Sequence, residues 1–197
     1  MPKPFTMPRS RRRMPSTYGG STVFRMFLIS SIYFGWIVHH GWVLRHDLTP
    51  LGILSLQQAN TAEKFRGVVE AWSVLNLRGV AIQNLYWDYG FIAFYAGALS
   101  LLYVWAAKRM PDSRSRLREF LLASAWLQWI AGLCDAAENT LHVTMLKGQL
   151  AIDDPWPLAA VCFTIAKFVL IAICLPLLIW TGACIFRDRL PNKAGQL

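Results

Sequence analysis

Six polar residues share one face of an otherwise apolar stretch. Ser124, Gln128, Asp135, Glu138, Asn139 and His142 are offset from Asp135 by −11, −7, 0, +3, +4 and +7 residues. At about 100° per residue, a helix gathers all six within roughly 60° of the stripe's centre. Trp126 and Trp129 point elsewhere. Two carboxylates, an amide and an imidazole in one row are the ingredients of acid/base chemistry, of metal ligation or of a buried polar network. A carboxylate near the middle of a membrane span costs about 2.5–3.5 kcal/mol on insertion scales. A chain that keeps such a row on an apolar helix has a use for it.

The elements that must position the row follow from composition. The chain has 197 residues, of which 55% are hydrophobic and 16% charged. Its mean hydropathy is +0.35. That is too apolar for an ordinary soluble domain and fits a compact polytopic membrane protein. Nine Trp, six Tyr and eleven Phe suit aromatic belts at two interfaces. Four stretches are long enough to cross about 30 Å of hydrocarbon, at 22–44, 82–107, 119–146 and 157–186. Continuous apolar runs of this length are helical, because lipid leaves no other partner for the backbone. The expected fold is therefore all-α, a four-transmembrane-helix bundle over 22–186. A basic arm at 1–21, rich in Pro, Ser and Arg, is expected to be disordered and to touch anionic lipid head groups. A short tail follows at 187–197.

The formal charge of +9 is a topology signal rather than a nucleic-acid footprint. Lys3, Arg9, Arg11, Arg12 and Arg13 precede the first span, and Arg25 lies just inside it. Lys108, Arg109, Arg114, Arg116 and Arg118 fill the second connection, and Arg187, Arg189 and Lys193 the tail. The other two connections hold Arg45, Lys64, Arg66, Arg78 and Lys147, diluted by acidic residues. The positive-inside rule then places both termini in the cytoplasm of a plasma membrane, bacterial inner membrane in type. The run at 11–13 is not a cleaved signal, since the apolar stretch behind it is too long and lacks a small-residue cleavage site. Cys134, Cys162, Cys174 and Cys184 lie inside apolar spans without C-x-x-C spacing, and read as small apolar residues.

Between the first two spans, Phe65, Val68, Val69, Trp72 and Leu75 repeat at helical spacing. This predicts an amphipathic extracytoplasmic helix, with Asn60 and Glu63 as its capping box. The helix either covers the bundle at the membrane surface or forms a lid over a site that opens outward.

Depth follows from a rise of about 1.5 Å per residue. His39, His40, Asp88, Asp135, Glu138, Asn139, His142 and Lys167 all fall in the outer half of their spans. Each span has a polar face: Asn84, Asp88 and Tyr95 on the second, and Lys167, Cys174 and Thr181 on the fourth, near Thr164. On the first, Tyr33 and His40 are seven apart, with His39 pointing about 100° away. Pro176 is expected to kink the fourth span below Lys167. The convergence predicts a polar cavity lined by His40, Asp88, Tyr95, Asp135, Glu138, Asn139, His142 and Lys167.

Three functions remain open. In the first, Lys167 neutralises Asp135, the other polar groups join helices by hydrogen bonds, and the protein is a structural or accessory subunit of a membrane complex. In the second, the cavity is an enzyme site. Asp135 or Glu138 accepts a proton, His142 or His40 is its partner, and Lys167 is the counter-charge. A divalent ion such as Zn²⁺, Fe²⁺ or Mn²⁺ is a variant of this reading, although H-E-x-x-H and H-x-x-x-H spacings are absent. In the third, the cavity binds a small hydrophobic or lipid-like molecule. Four spans without an inverted repeat do not suit alternating-access transport.

The segments LGILSLQQA at 51–59, DYGFIAFY at 88–95 and GLCDAAEN at 132–139, together with Trp72, resemble a family of bacterial four-span membrane proteins. The resemblance implies the architecture and groups Asp88, Asp135, Glu138 and Asn139 as a set. It implies no reaction. In outline the arrangement is also similar to sterol-isomerase-like bundles, whose lipid cavity is lined by His and Glu. The residue patterns differ, and their chemistry is not carried over.

Overall fold

A computed structural model describes residues 19–187, and nearly all of the arm at 1–21 and the tail at 187–197 lie outside them. Six α-helices run in order: α1 (Gly20–His40), α2 (Ile53–Gln57), α3 (Ala62–Val74), α4 (Arg78–Lys108), α5 (Ser115–Leu146) and α6 (Trp156–Arg187). A 3₁₀ turn at Gly41–Leu44 prolongs α1. Among the described residues, this extended α1 together with α4, α5 and α6 are the four helices long and apolar enough to cross a membrane. The helices at Arg78 and Ser115 begin about a turn before the apolar runs that predicted them, because backbone hydrogen bonding continues past the last lipid-facing residue.

The long helices form a bent row. α4 packs along α1 on one side and α5 on the other, and α5 packs along α6. α1 and α6, at the two ends of the row, have no extensive packing between them. Small residues set the closeness of the middle pair. A Cβ on Gly132 of α5 would lie 3.3 Å from both Ile92 and Ala96 of α4, so glycine permits the approach.

The segment between α1 and α4 folds back over one end of the row. Phe65, Val69 and Trp72 of α3 are buried with Leu44, Leu56, Leu85, Val143 and Leu146. Trp72 Nε1 donates to Leu44 O and Thr49 Oγ1, each at 3.1 Å. Thr49 Oγ1 in turn donates to Leu44 O at 2.8 Å. The last carbonyl of the 3₁₀ turn is thereby satisfied away from water. Charged groups pin the far side of α3: Arg66 pairs with Asp153 at 2.5 Å, and Asp154 Oδ1 accepts from Ala62 N at 3.1 Å.

Two expectations for α3 are corrected. Its N-cap is Thr61, whose side chain accepts from Lys64 N at 3.3 Å. Asn60 instead accepts from Lys64 Nζ at 2.9 Å, so the cap lies one residue later and no carboxylate closes a box. Leu75 leaves the buried face because the helix ends at Val74 and Asn76 takes a left-handed φ of 56°.

One joint depends on glycine for space. Asn84 Nδ2 of α4 donates to Ile37 O at 2.9 Å, and a Cβ on Gly41 would come within 2.8 Å of that Nδ2. Gly41→Ala is expected to push Asn84 off this carbonyl. The cost should be about 1 kcal/mol or more even after the helix-propensity gain, read as a lower unfolding midpoint in detergent.

Candidate functional site

α4, α5 and α6 bring their polar faces to the part of the row nearest α2 and α3. α5 contributes the buried column that includes Gln128, Asp135, Glu138, Asn139 and His142. α6 contributes Lys167, which is 5% exposed. Its Nζ lies 2.5 Å from Asp135 Oδ1 and 2.8 Å from Glu138 Oε2. One ammonium thus bridges two carboxylates a single helical turn apart. The second oxygen of Asp135 accepts from Tyr95 OH at 3.0 Å. On α4, Asp88 Oδ2 accepts from Asn139 Nδ2 at 2.7 Å.

A cavity of about 530 Å³ opens beside this cluster. Phe34, Ile37, Val38 and Gly41 of α1 form one wall, and Phe168 and Ile171 of α6 face them. Leu51, Ile53, Leu54 and Gln57 close the end, and Asn84, Asp88, Phe91, Tyr95, Asp135 and Lys167 form the floor. The volume falls within the usual range for small-molecule sites, about 300–1,000 Å³. Wall residues Phe34 and Phe168 are 52% and 56% exposed. The gap between α1 and α6 is therefore unsealed on the outer surface of the row.

The expected site residues divide by position. Asp88, Tyr95, Asp135 and Lys167 line the cavity. Glu138 and Asn139 stand directly behind, each fully buried, touching the floor through Lys167 and Asp88. His142 and His40 are outside the lining. His142 shares the α5 face but sits about 10 Å along the axis from Asp135, under the Phe65 ring at a centroid distance of 5.8 Å. Its Nδ1 is 3.9 Å from Glu138 Oε1, and neither ring nitrogen has a hydrogen-bond partner among the described residues. His40 points about 110° around α1 from the direction shared by Phe34, Ile37, Val38 and Gly41. Spacing from Tyr33 could not reveal this, since it does not say which side of α1 looks across the cavity toward α6.

Other lining residues were not singled out by sequence. Phe91 lies between Asp88 and Tyr95 on the α4 face, so helical spacing carried its signal. Arg45 and Gln57 reach the cavity only because 45–57 folds back, and no periodicity encodes that. α2, rather than α3, closes the cavity end. α3 covers His142 instead. No group of three or more His, Cys, Asp or Glu side chains placed to hold a metal ion occurs among the described residues.

An all-helical chain with four apolar helices of spanning length, and ionised-type side chains gathered between them, is a membrane-embedded helical protein. Comparison with protein-family models, curated proteins and solved structures finds no match to this chain.

Proposed function

We propose that the protein binds a small hydrophobic or lipid-like molecule in the cavity between α1 and α6. One observation carries this reading: apolar walls surround a few convergent polar groups, and the open side lies on the outer surface of the row. The apolar part of the ligand lies against Phe34, Ile37, Leu54 and Ile171, and its polar end meets the floor. By the distribution of Lys and Arg, the protein sits in a bacterial inner membrane with both termini cytoplasmic and this site in the outer half. Acid/base turnover of the ligand would use Asp135, which reaches the cavity, with Tyr95 as its hydrogen-bonded neighbour. Glu138 and His142 lie behind it, 3.9 Å apart and not hydrogen-bonded to each other.

A second reading has its own observation. Lys167 between Asp135 and Glu138 ties α5 to α6, as a non-catalytic subunit with charges paired for packing would require. A binding assay separates the two. The protein is placed in nanodiscs doped with dodecylamine, dodecanol or dodecanoate, and its unfolding midpoint is followed. A ligand site predicts that at least one probe raises the midpoint of the wild type, by about 2.7 kcal/mol of stabilisation at a hundredfold excess over Kd. Ile171→Trp, which fills the cavity, should abolish that rise. If no probe shifts the wild type, the binding reading fails and the packing reading stands.

A further inference from the structure

We propose that the cavity selects a lipophilic cation, an alkylamine or larger apolar amine whose ammonium group docks against Asp88. This rests on the cavity being a ligand site and assigns the charge of its ligand.

Donors and acceptors at the floor do not balance. Lys167 donates to Asp135 and contacts Glu138, Tyr95 OH donates to Asp135, and Asn139 Nδ2 donates to Asp88. Each donor group at the floor thus already has a partner inside the protein, Asn84 Nδ2 with Ile37 O included. Acceptors remain over. Asp88 Oδ2 is used, while its Oδ1 has no donor among the described residues, on a side chain that lines the cavity. Asn139 Oδ1, behind the floor, also has no partner among the described residues. The orientation of that amide is fixed by the carboxylate, since the reverse would set oxygen against oxygen. A ligand that satisfies this floor must bring hydrogen-bond donors.

Charge at the floor is also uneven. Asp88, Asp135 and Glu138 face one ammonium, Lys167, which is held by the latter two. Among the described residues, Asp88 has the Asn139 amide as its one hydrogen-bond partner. A buried or half-buried carboxylate without a counter-ion favours a ligand that supplies one.

The wall next to Asp88 is aromatic. Phe91, one turn along α4, lies 5.3 Å from the Phe34 ring and 5.1 Å from the Tyr95 ring. All three line the cavity. Aromatic faces beside a carboxylate are the usual surroundings of a bound ammonium, which they attract through the ring quadrupole. Arg45, the other cation of the lining, keeps its guanidinium over Trp42 at 4.5 Å and belongs to the α2 end rather than the floor.

The test uses the same three dodecyl probes in nanodiscs, titrated against the full-length wild type. Dodecylamine is expected to bind at least tenfold more tightly than dodecanol, and dodecanoate most weakly. Asp88→Asn should erase the preference for the amine over dodecanol. Equal binding of amine and alcohol by the wild type, or tighter binding of dodecanoate, overturns the charge assignment and leaves the cavity as a site. Failure of all three probes overturns the site itself. The wild-type comparison needs no variant, so a misfolded Asp88→Asn protein would not protect the proposal. A folded Asp88→Asn protein that keeps the full amine preference also overturns it.

Discussion

Replacing Lys167 by Met is expected to destabilise the detergent-solubilised protein by about 3–5 kcal/mol, the usual cost of removing one partner from a buried ion pair. Met has nearly the length of Lys, so packing is kept and the loss is electrostatic. Asp135 and Glu138, one helical turn apart and 5% and 0% exposed, would face each other without their shared ammonium. Denaturant or thermal unfolding of the purified protein reads the effect directly. Two companions locate its cause. Glu138→Gln alone should cost only about 1 kcal/mol, because Lys167 keeps Asp135 at 2.5 Å and Asp135 keeps Tyr95. Combining Lys167→Met with Asp135→Asn and Glu138→Gln should restore much of the lost stability, since replacing a whole buried ionic set by neutral groups is often close to neutral. A stable Lys167→Met single variant would show that the three groups are not held as ions. In that case the floor of the cavity would need redrawing.

Trp72→Ala is expected to have an effect of similar size, about 3–5 kcal/mol, through a different cause. Trp72 is fully buried, and its ring fills the space among Leu44, Leu56, Leu85 and Leu146. Its Nε1 also satisfies Leu44 O and Thr49 Oγ1. Truncation leaves a large void and loosens the fold-back of residues 45–77 onto the row. Hydrogen exchange and limited proteolysis should report opening confined to that segment, with α4 to α6 still protected. Trp72→Phe retains most of the apolar area and loses the donor, so about 1–2 kcal/mol is expected. Because α2 closes the end of the cavity, Trp72→Ala should also weaken binding of any dodecyl probe. No residue of the floor is touched by that change.

Much of this molecule was legible before folding was considered. Four apolar runs of spanning length become four long helices, since in lipid a continuous apolar segment has only its own backbone to bond with. The α3 face was readable from Phe65, Val69 and Trp72 at helical spacing. Its ends were not. Thr61 wins the cap from Asn60, whose side chain is drawn to Lys64 Nζ, and periodicity carries no information on that competition. Within the site, Asp88, Asn84 and Tyr95 were aligned by spacing alone, as were the residues of the α5 column. Spacing assigns residues to a face of one helix and is silent on which helix that face meets.

The sequence by itself therefore determined the class of the protein and the faces of its helices, because both follow from local period and from the cost of charge in hydrocarbon. The tertiary structure alone decided which of those faces line a space. Row order leaves α1 and α6 apart and opens a cavity between them. It admits Asp88, Tyr95, Asp135 and Lys167, and turns His40 away from it. It also sets His142 beneath Phe65, off the cavity, though His142 shares a face with Asp135. The reason is physical: a helix repeats its own face every turn, but neighbours, depth and cover come from long-range packing, which no local pattern specifies.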